Sequence, residues 1–270
     1  MATSKPPFLN FQVDHMTLLV QPEMYNVAYV LFRTVFGVPE QDLLYEKRKE
    51  WIPGTGEKSM TFAVQIGNGA SERPELNNTI IAVVQPTEPD AQRSHVREML
   101  NGHSAAAHWQ HIALRTPDLL AFHEHALEHG VNFITPILQD DSEDLIQIFS
   151  GEWYFPDSPA SGMFFEFLQR NPSQDLLKKL EDRNRESWFR DKTFLGLYGE
   201  KEKEYQTGKV TPFIDEDLYA VLFEKFKGRQ VWQITAADLK WAQDAMHAYA
   251  RTANKVPVKV QSPGVSPRHT

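Results

Sequence analysis

The 270 residues contain no cysteine, which removes disulfides, thiolate metal ligands and a thiol nucleophile together and leaves histidine and carboxylate as the strong metal donors. Long apolar runs are missing too. None approaches the ~18–20 residues of a membrane span, and the opening MATSKPPFLN has neither the basic stretch nor the apolar centre of a secretory signal. A cytoplasmic protein, neither exported nor membrane-bound, is expected. Positive charge is in deficit, with 28 Lys and Arg against 36 Asp and Glu for a net −8, and no basic cluster offsets it, so nucleic acid is not an expected partner. What is present is a globular composition, long enough for one large domain or two small ones. A small-molecule partner is expected, and a homodimer is left open.

Two stretches repeat one another: VDHMTLLVQPEMYNVAYVLFRTVFGV and WQHIALRTPDLLAFHEHALEHGV. Each opens with a strand carrying a histidine (His15, His111), passes a turn with Pro22 or Pro117, runs into a helix and stops at Gly37-Val38 or Gly130-Val131. In the second copy Thr116 reads as the N-cap and Pro117 as the first helical residue. Short β-type runs follow: LLYEKRKEWI, SMTFAVQIG and TIIAVVQ, then VNFITP, LIQIFS and GMFFEFLQR. Both copies read as βαβββ, and two such units can bury their apolar faces by curling into a half-open barrel. The expected class is α+β with a C-terminal helical extension. Its divisions are a flexible N-terminus at 1–10, a first module with a linking helix at 11–105, a second module at 106–170, helices at 171–254 and a disordered tail at 255–270. Thr235 opens the last helix with an S/T-x-x-D capping pattern.

Equivalent strand positions meet across a pseudo-twofold, so His15 and His111 can approach although 96 residues separate them in the chain (111 − 15). Glu166 stands in the middle of an apolar strand, where an unpaired charge is costly and a cation would neutralise it. The matching strand TIIAVVQ offers no carboxylate or imidazole at its centre. Two histidines and one carboxylate with open positions is the arrangement of non-haem Fe(II) oxygen chemistry.

The segments VDHMTLL, WQHIAL and IQIF with MFFEFLQR resemble, in that order, the metal-ligand segments of the 4-hydroxyphenylpyruvate dioxygenase family of the vicinal-oxygen-chelate superfamily. The resemblance covers the catalytic half of that family. It implies the paired-module fold and Fe(2+) on His15, His111 and Glu166. It also implies a dioxygenase that takes a 2-oxo acid and dioxygen, decarboxylates the acid and hydroxylates the same molecule. Gln110 and Gln147 fall on catalytic positions of the family, and Ser59, Gln85, His95, Phe149 and Phe164 on substrate-lining ones. Departures lie in substrate recognition. VVQPTEP puts Gln85 or Thr87 where the family has Asn, His95 replaces a substrate Gln, the Gly-rich stretch before Gln110-His111 is GHSAAAHW, and the Gly-x-Gly-Asn-Phe motif before the gating helix has no counterpart.

Blander readings stand beside these. A single His in a half-buried strand is more often a hydrogen-bonded structural residue, and Glu166 alone could pair with Arg170. Gln110 and Gln147 could serve backbone groups. His125 and His129 sit among Glu124 and Glu128 on a polar helix side, which reads as a solvated face. Alternative functions are an extradiol ring-cleaving dioxygenase, with Tyr154 or His95 as acid–base, a glyoxalase-type isomerase or lyase, and a binding module without activity.

Overall fold

Two chain segments of the same pattern build the protein, seen here in a computed structural model. It describes residues 5–50, 58–66, 79–86, 95–140, 144–154, 158–183, 197, 200–201, 203–204 and 207–253. The first repeat runs β1 (Gln12–Val20), α1 (Pro22–Thr34), β2 (Leu43–Glu50), β3 (Lys58–Ile66) and β4 (Thr79–Pro86). A linking helix α2 (His95–Gly102) leads to β5 (Ala107–Arg115), α3 (Leu119–Glu128), β6 (Leu138–Asp140), β7 (Leu145–Glu152) and β8 (Phe164–Arg170). Helices α4 (Gln174–Arg183), α5 (Glu216–Phe226) and α6 (Ala236–Thr252) complete the described chain. The expected α+β class with paired βαβββ repeats is what forms.

All eight strands join one sheet in the order β2-β3-β4-β1-β5-β8-β7-β6. Each repeat contributes the same local order, with its first strand parallel to its last (β1 with β4, β5 with β8), and the repeats meet where β1 runs antiparallel to β5. The sheet stays open, since β2 and β6 form its two edges.

Alternation along the strands sorts side chains to two faces. On the outer face α1 buries Tyr25, Ala28 and Phe32 against Val20, Phe62, Val64 and Val83, and α3 buries Leu119, Phe122 and Ala126 against Ile146, Ile148 and Phe167. On the inner face α2 covers Leu19 and Val84 with Val96, Met99 and Leu100. Leu197 of the extension joins Leu138, Phe149 and Phe164 there. The extension therefore roofs part of the second module's inner face.

Three expectations are corrected. Thr116 is not the cap of α3: its backbone still bonds Leu168 in the sheet and its hydroxyl donates to the Phe8 carbonyl, so the helix starts later, capped by Asp118, which accepts from Ala121 N at 3.0 Å. VNFITP is not a full strand. Val131 and Phe133 make only isolated bridges, and the paired segment is Leu138–Asp140, beyond Pro136. Within the first ten residues, Pro7–Leu9 form a helical turn, and Phe8 and Leu9 pack against the α3 cluster rather than hanging free. The capping box of Thr235 with Asp238 forms as expected. Residues 255–270 lie outside the described residues.

Candidate metal centre

Register explains why three residues far apart in sequence share one spot. His15 pairs with Ala113 across the seam, and Ala113 pairs with Glu166 on the other side, so the three form one row on the inner face. His111 lies two residues from Ala113 on the same face, paired with Thr17 and Phe164. Because the middle of the row is alanine, the space between His15 and Glu166 is free of side chain. Into it point His15 Nε2, His111 Nε2 and Glu166 Oε2, with His–His 3.3 Å, His15–Glu166 3.3 Å and His111–Glu166 3.4 Å. Donors held ~2.0–2.2 Å from one ion, at angles between 90° and tetrahedral, lie roughly 3.0–3.5 Å apart. The triangle fits a first-row divalent cation. Among the described residues no other group of three His or carboxylate side chains is so arranged.

The electrostatics ask for positive charge at this point. Glu166 is buried, and its second oxygen, Oε1, has no hydrogen-bond partner among the described residues. Burial disfavours a charged His15, but Glu166 and Asp14 outweigh it and push the imidazolium pKa up to about 9. Burial, then the neighbouring His15 charge, holds His111 well below the usual histidine value. Without metal, the cluster thus keeps one proton on His15, in the place a cation would take.

Two bulges set the ring orientations, and sequence reasoning found neither. The β1–β5 register skips Asp14 between Val13 and His15, and skips Gln110 between Trp109 and His111. Each skipped residue turns its side chain to the Nδ1 of the histidine that follows: Asp14 Oδ1 at 3.1 Å from His15, Gln110 Oε1 at 3.2 Å from His111. With Nδ1–H donating to that oxygen, each ring presents Nε2 to the centre. Asp14 is only 6% exposed. Arg170 grips it with Nε and Nη2 at 2.8 and 2.6 Å, which together with His15 keeps the carboxyl well below the usual carboxylate range against the opposing effect of burial. Arg170 therefore serves Asp14, not Glu166. The available signal was the pseudo-twofold itself, which makes Asp14 the mate of Gln110.

Of the other expected site residues, Phe164 stacks on His111 with ring centroids 5.3 Å apart, and Phe149 pairs with Glu166 in the β7–β8 register; both are buried on the inner face. Gln147 shares that face two residues from Phe149 and is buried. Gln85 is not brought to the site. It alternates with Ala82 and Val84 so as to lie on the outer face beside Val83, in register with Met60. Ser59 and His95 stand on β3 and at the start of α2, and their side chains lie outside the described residues. Tyr154 is turned away, its hydroxyl donating to the Val210 carbonyl at 2.7 Å. Trp109 does not share the face of His111 as strict alternation would have it: the bulge at Gln110 pairs it with Leu18 of the α1 cluster, which puts it, exposed, on the outer face.

The twofold also identifies the fourth position. His15 and Thr17 pair with Ile80 and Ala82 as His111 and Ala113 pair with Phe164 and Glu166. Ala82 is the mate of Glu166 and offers no donor.

No protein-family model matches the sequence. No curated protein matches it. Among solved structures, a mutant of 4-hydroxymandelate synthase from Streptomyces coelicolor is similar, at 18% identity and TM-score 0.47, over 65% of this chain and 56% of that one. Methylmalonyl-CoA epimerase from Streptomyces coelicolor is similar at 16% identity and TM-score 0.39, over 59% of this chain and 96% of that one. The epimerase from Mycobacterium tuberculosis is similar at 18% identity and TM-score 0.39, over 62% of this chain and 91% of that one. The chain spans little more than half the length of the synthase it matches.

Proposed function

We propose that this chain is a metal-dependent enzyme of the vicinal-oxygen-chelate type. More finely, we propose a non-haem Fe(II) dioxygenase that decarboxylates a 2-oxo acid oxidatively and hydroxylates the same molecule. The observation that carries the reading is the donor set: His15 Nε2, His111 Nε2 and Glu166 Oε2 converge on one point, with Ala82 where a fourth protein ligand would stand. Such a site leaves room for a chelating substrate and dioxygen together.

Those three side chains would hold the iron, and iron bound there supplies Lewis acidity and a redox couple for dioxygen. The remaining work belongs to the chain. Two neutral imidazoles and one carboxylate leave a dication with net charge +1, which attracts an anionic, oxygen-chelating substrate such as an aryl 2-oxo acid. Asp14 and Gln110 keep the two rings turned inward. Gln147 can donate an amide N–H to a substrate oxygen without adding charge, and Phe149 and Phe164 exclude water from the reacting centre and give an aromatic substrate an apolar wall. Because the oxo acid is part of the substrate, no separate 2-oxoglutarate is needed.

A glyoxalase-type isomerase calls for a fourth donor, and Ala82 argues against it. Extradiol cleavage calls for an acid–base side chain beside the metal, and Tyr154 is committed to Val210. The deciding experiment is anaerobic reconstitution with Fe(II), then oxygen uptake and carbon dioxide release against aryl and alkyl 2-oxo acids, catechols and glutathione hemithioacetals. Uptake with stoichiometric carbon dioxide, independent of 2-oxoglutarate, supports the proposal. Uptake with catechols alone, or turnover of hemithioacetals without oxygen, overturns it.

A further inference from the structure

We propose that the outer face of α1 is the surface by which two copies of this chain pair across a twofold axis. The internal repeat exposes the anomaly. In the second module the helix equivalent to α1 is covered by the chain itself: the His247 ring of α6 sits with its centroid 4.6 Å from that of His129, and a Cβ at Gly130 would run into Leu218 and touch Tyr249. The exposed residues of α3 are polar, Glu124 and Glu128. The first module shows the reverse. Met24, Val27, Val30, Leu31, Val35 and Phe36 are each between 37% and 68% exposed. Val27, Val30 and Leu31 follow the 3- and 4-residue spacing of one helical stripe, opposite the buried Tyr25, Ala28 and Phe32.

The stripe exposes apolar area on the order of 500 Å², the size at which a patch on a monomer marks an interaction site. Doubled by a twofold, roughly 1,000 Å² reaches the lower bound of a specific protein interface. The occupant follows from the ends of the stripe. Glu23 is exposed at its N-terminal end and Arg33 is half-buried near its C-terminal end, and among the described residues neither has an ion-pair partner; Arg33 Nη1 itself is buried and has no hydrogen-bond partner among them. When two such helices cross antiparallel about an axis between Val27 and Val30, apolar side chains meet apolar side chains, and each Glu23 approaches Arg33 of the other copy. An isologous contact of this kind needs only one surface, complementary to itself. It also leaves the chemistry undisturbed, because α1 lies on the outer face of the sheet and the His15–His111–Glu166 donors on the inner one.

The test uses the full chain in sedimentation equilibrium from low to high micromolar concentration. A monomer–dimer equilibrium is expected, with Val30→Glu monomeric throughout and its far-UV circular dichroism unchanged. Glu23→Arg should weaken the dimer by about tenfold or more, and Glu23→Arg combined with Arg33→Glu should recover it. Since the chain has no native cysteine, Val27→Cys gives a second readout that does not depend on the charge variants. A short bis-maleimide should link two chains through it, and should not do so through Leu239→Cys on exposed α6. A chain that is monomeric over the whole range overturns the proposal. So does a dimer that survives Val30→Glu or links as readily through residue 239. A monomer whose Val27→Cys thiol resists maleimide would assign the face to another segment of the same chain, and would overturn it as well.

Discussion

At the residue scale, the two histidines were legible in the sequence because a repeated strand carried them at the same place, and Glu166 because a carboxylate in an apolar run must be neutralised. Asp14 was visible as a letter and invisible as a role. Beside a histidine in a regular strand it would point to the opposite face, and only a bulge brings it to His15. Asp14→Asn keeps the shape, but replaces the carboxylate that orients the ring and holds Arg170. We expect metal affinity to fall about 10–100-fold, read as a Co(II) titration by visible absorption, with circular dichroism unchanged. Ala113 is equally specific in its smallness. Ala113→Leu places a branched side chain in the gap between His15 and Glu166, and the Co(II) spectrum should be lost while the chain still folds. An unaltered spectrum would show that the gap is not where the ion binds.

At the scale of elements, periodicity and stop signals located the long helices and most strands, since α1, α3, α5 and α6 carry apolar faces, β7 and β8 carry β-branched and aromatic runs, and β1 and β5 repeat one another around their histidines. The start of α3 and the position of β6 escaped because they turn on which backbone groups are already bonded in the sheet, as Thr116 is to Leu168. Gln85 shows the same limit. Its face is decided by pairing with β1 and β3, and a one-residue difference in register reverses it. The pairing of β4 with β1 makes a sharper prediction at Ala82. Ala82→Glu supplies the missing mate of Glu166, so the metal-free variant should melt below the parent because it buries a second carboxylate. Zn(II) or Co(II) should raise its melting temperature more than the parent's, and oxygen uptake should disappear as the fourth donor closes the site. Persistence of oxygen uptake would count against the three-ligand reading.

At the scale of the whole molecule, the extension is fastened to the modules through charge. Lys201 and Glu152 are fully buried, with Lys201 Nζ 2.8 Å from both Glu152 and Glu204 and 5.4 Å from the centroid of Phe164, the ring that stacks on His111. Lys201→Met leaves two carboxylates buried without their cation, a loss of about 3–5 kcal/mol. It should appear as a fall in melting temperature on the order of 10 °C. The donors straddle the β1–β5 seam between the modules, so a bound divalent ion should stabilise the chain by about 3 kcal/mol at a hundredfold excess over its dissociation constant. Chelation should reverse that shift, as differential scanning calorimetry with and without EDTA would show. The order of strands and helices, the twofold relation of the modules and the donor residue types were all determined by local chemistry: alternation, capping, and the cost of a charge in an apolar strand. Which face each side chain takes, that Asp14 and Gln110 turn toward the rings, that Ala82 is the residue of the donor-poor strand TIIAVVQ that stands at the fourth corner and that Lys201 lies against Phe164 were decided by tertiary structure. These depend on register and bulges between strands distant in the chain, and no stretch of sequence carries that information by itself.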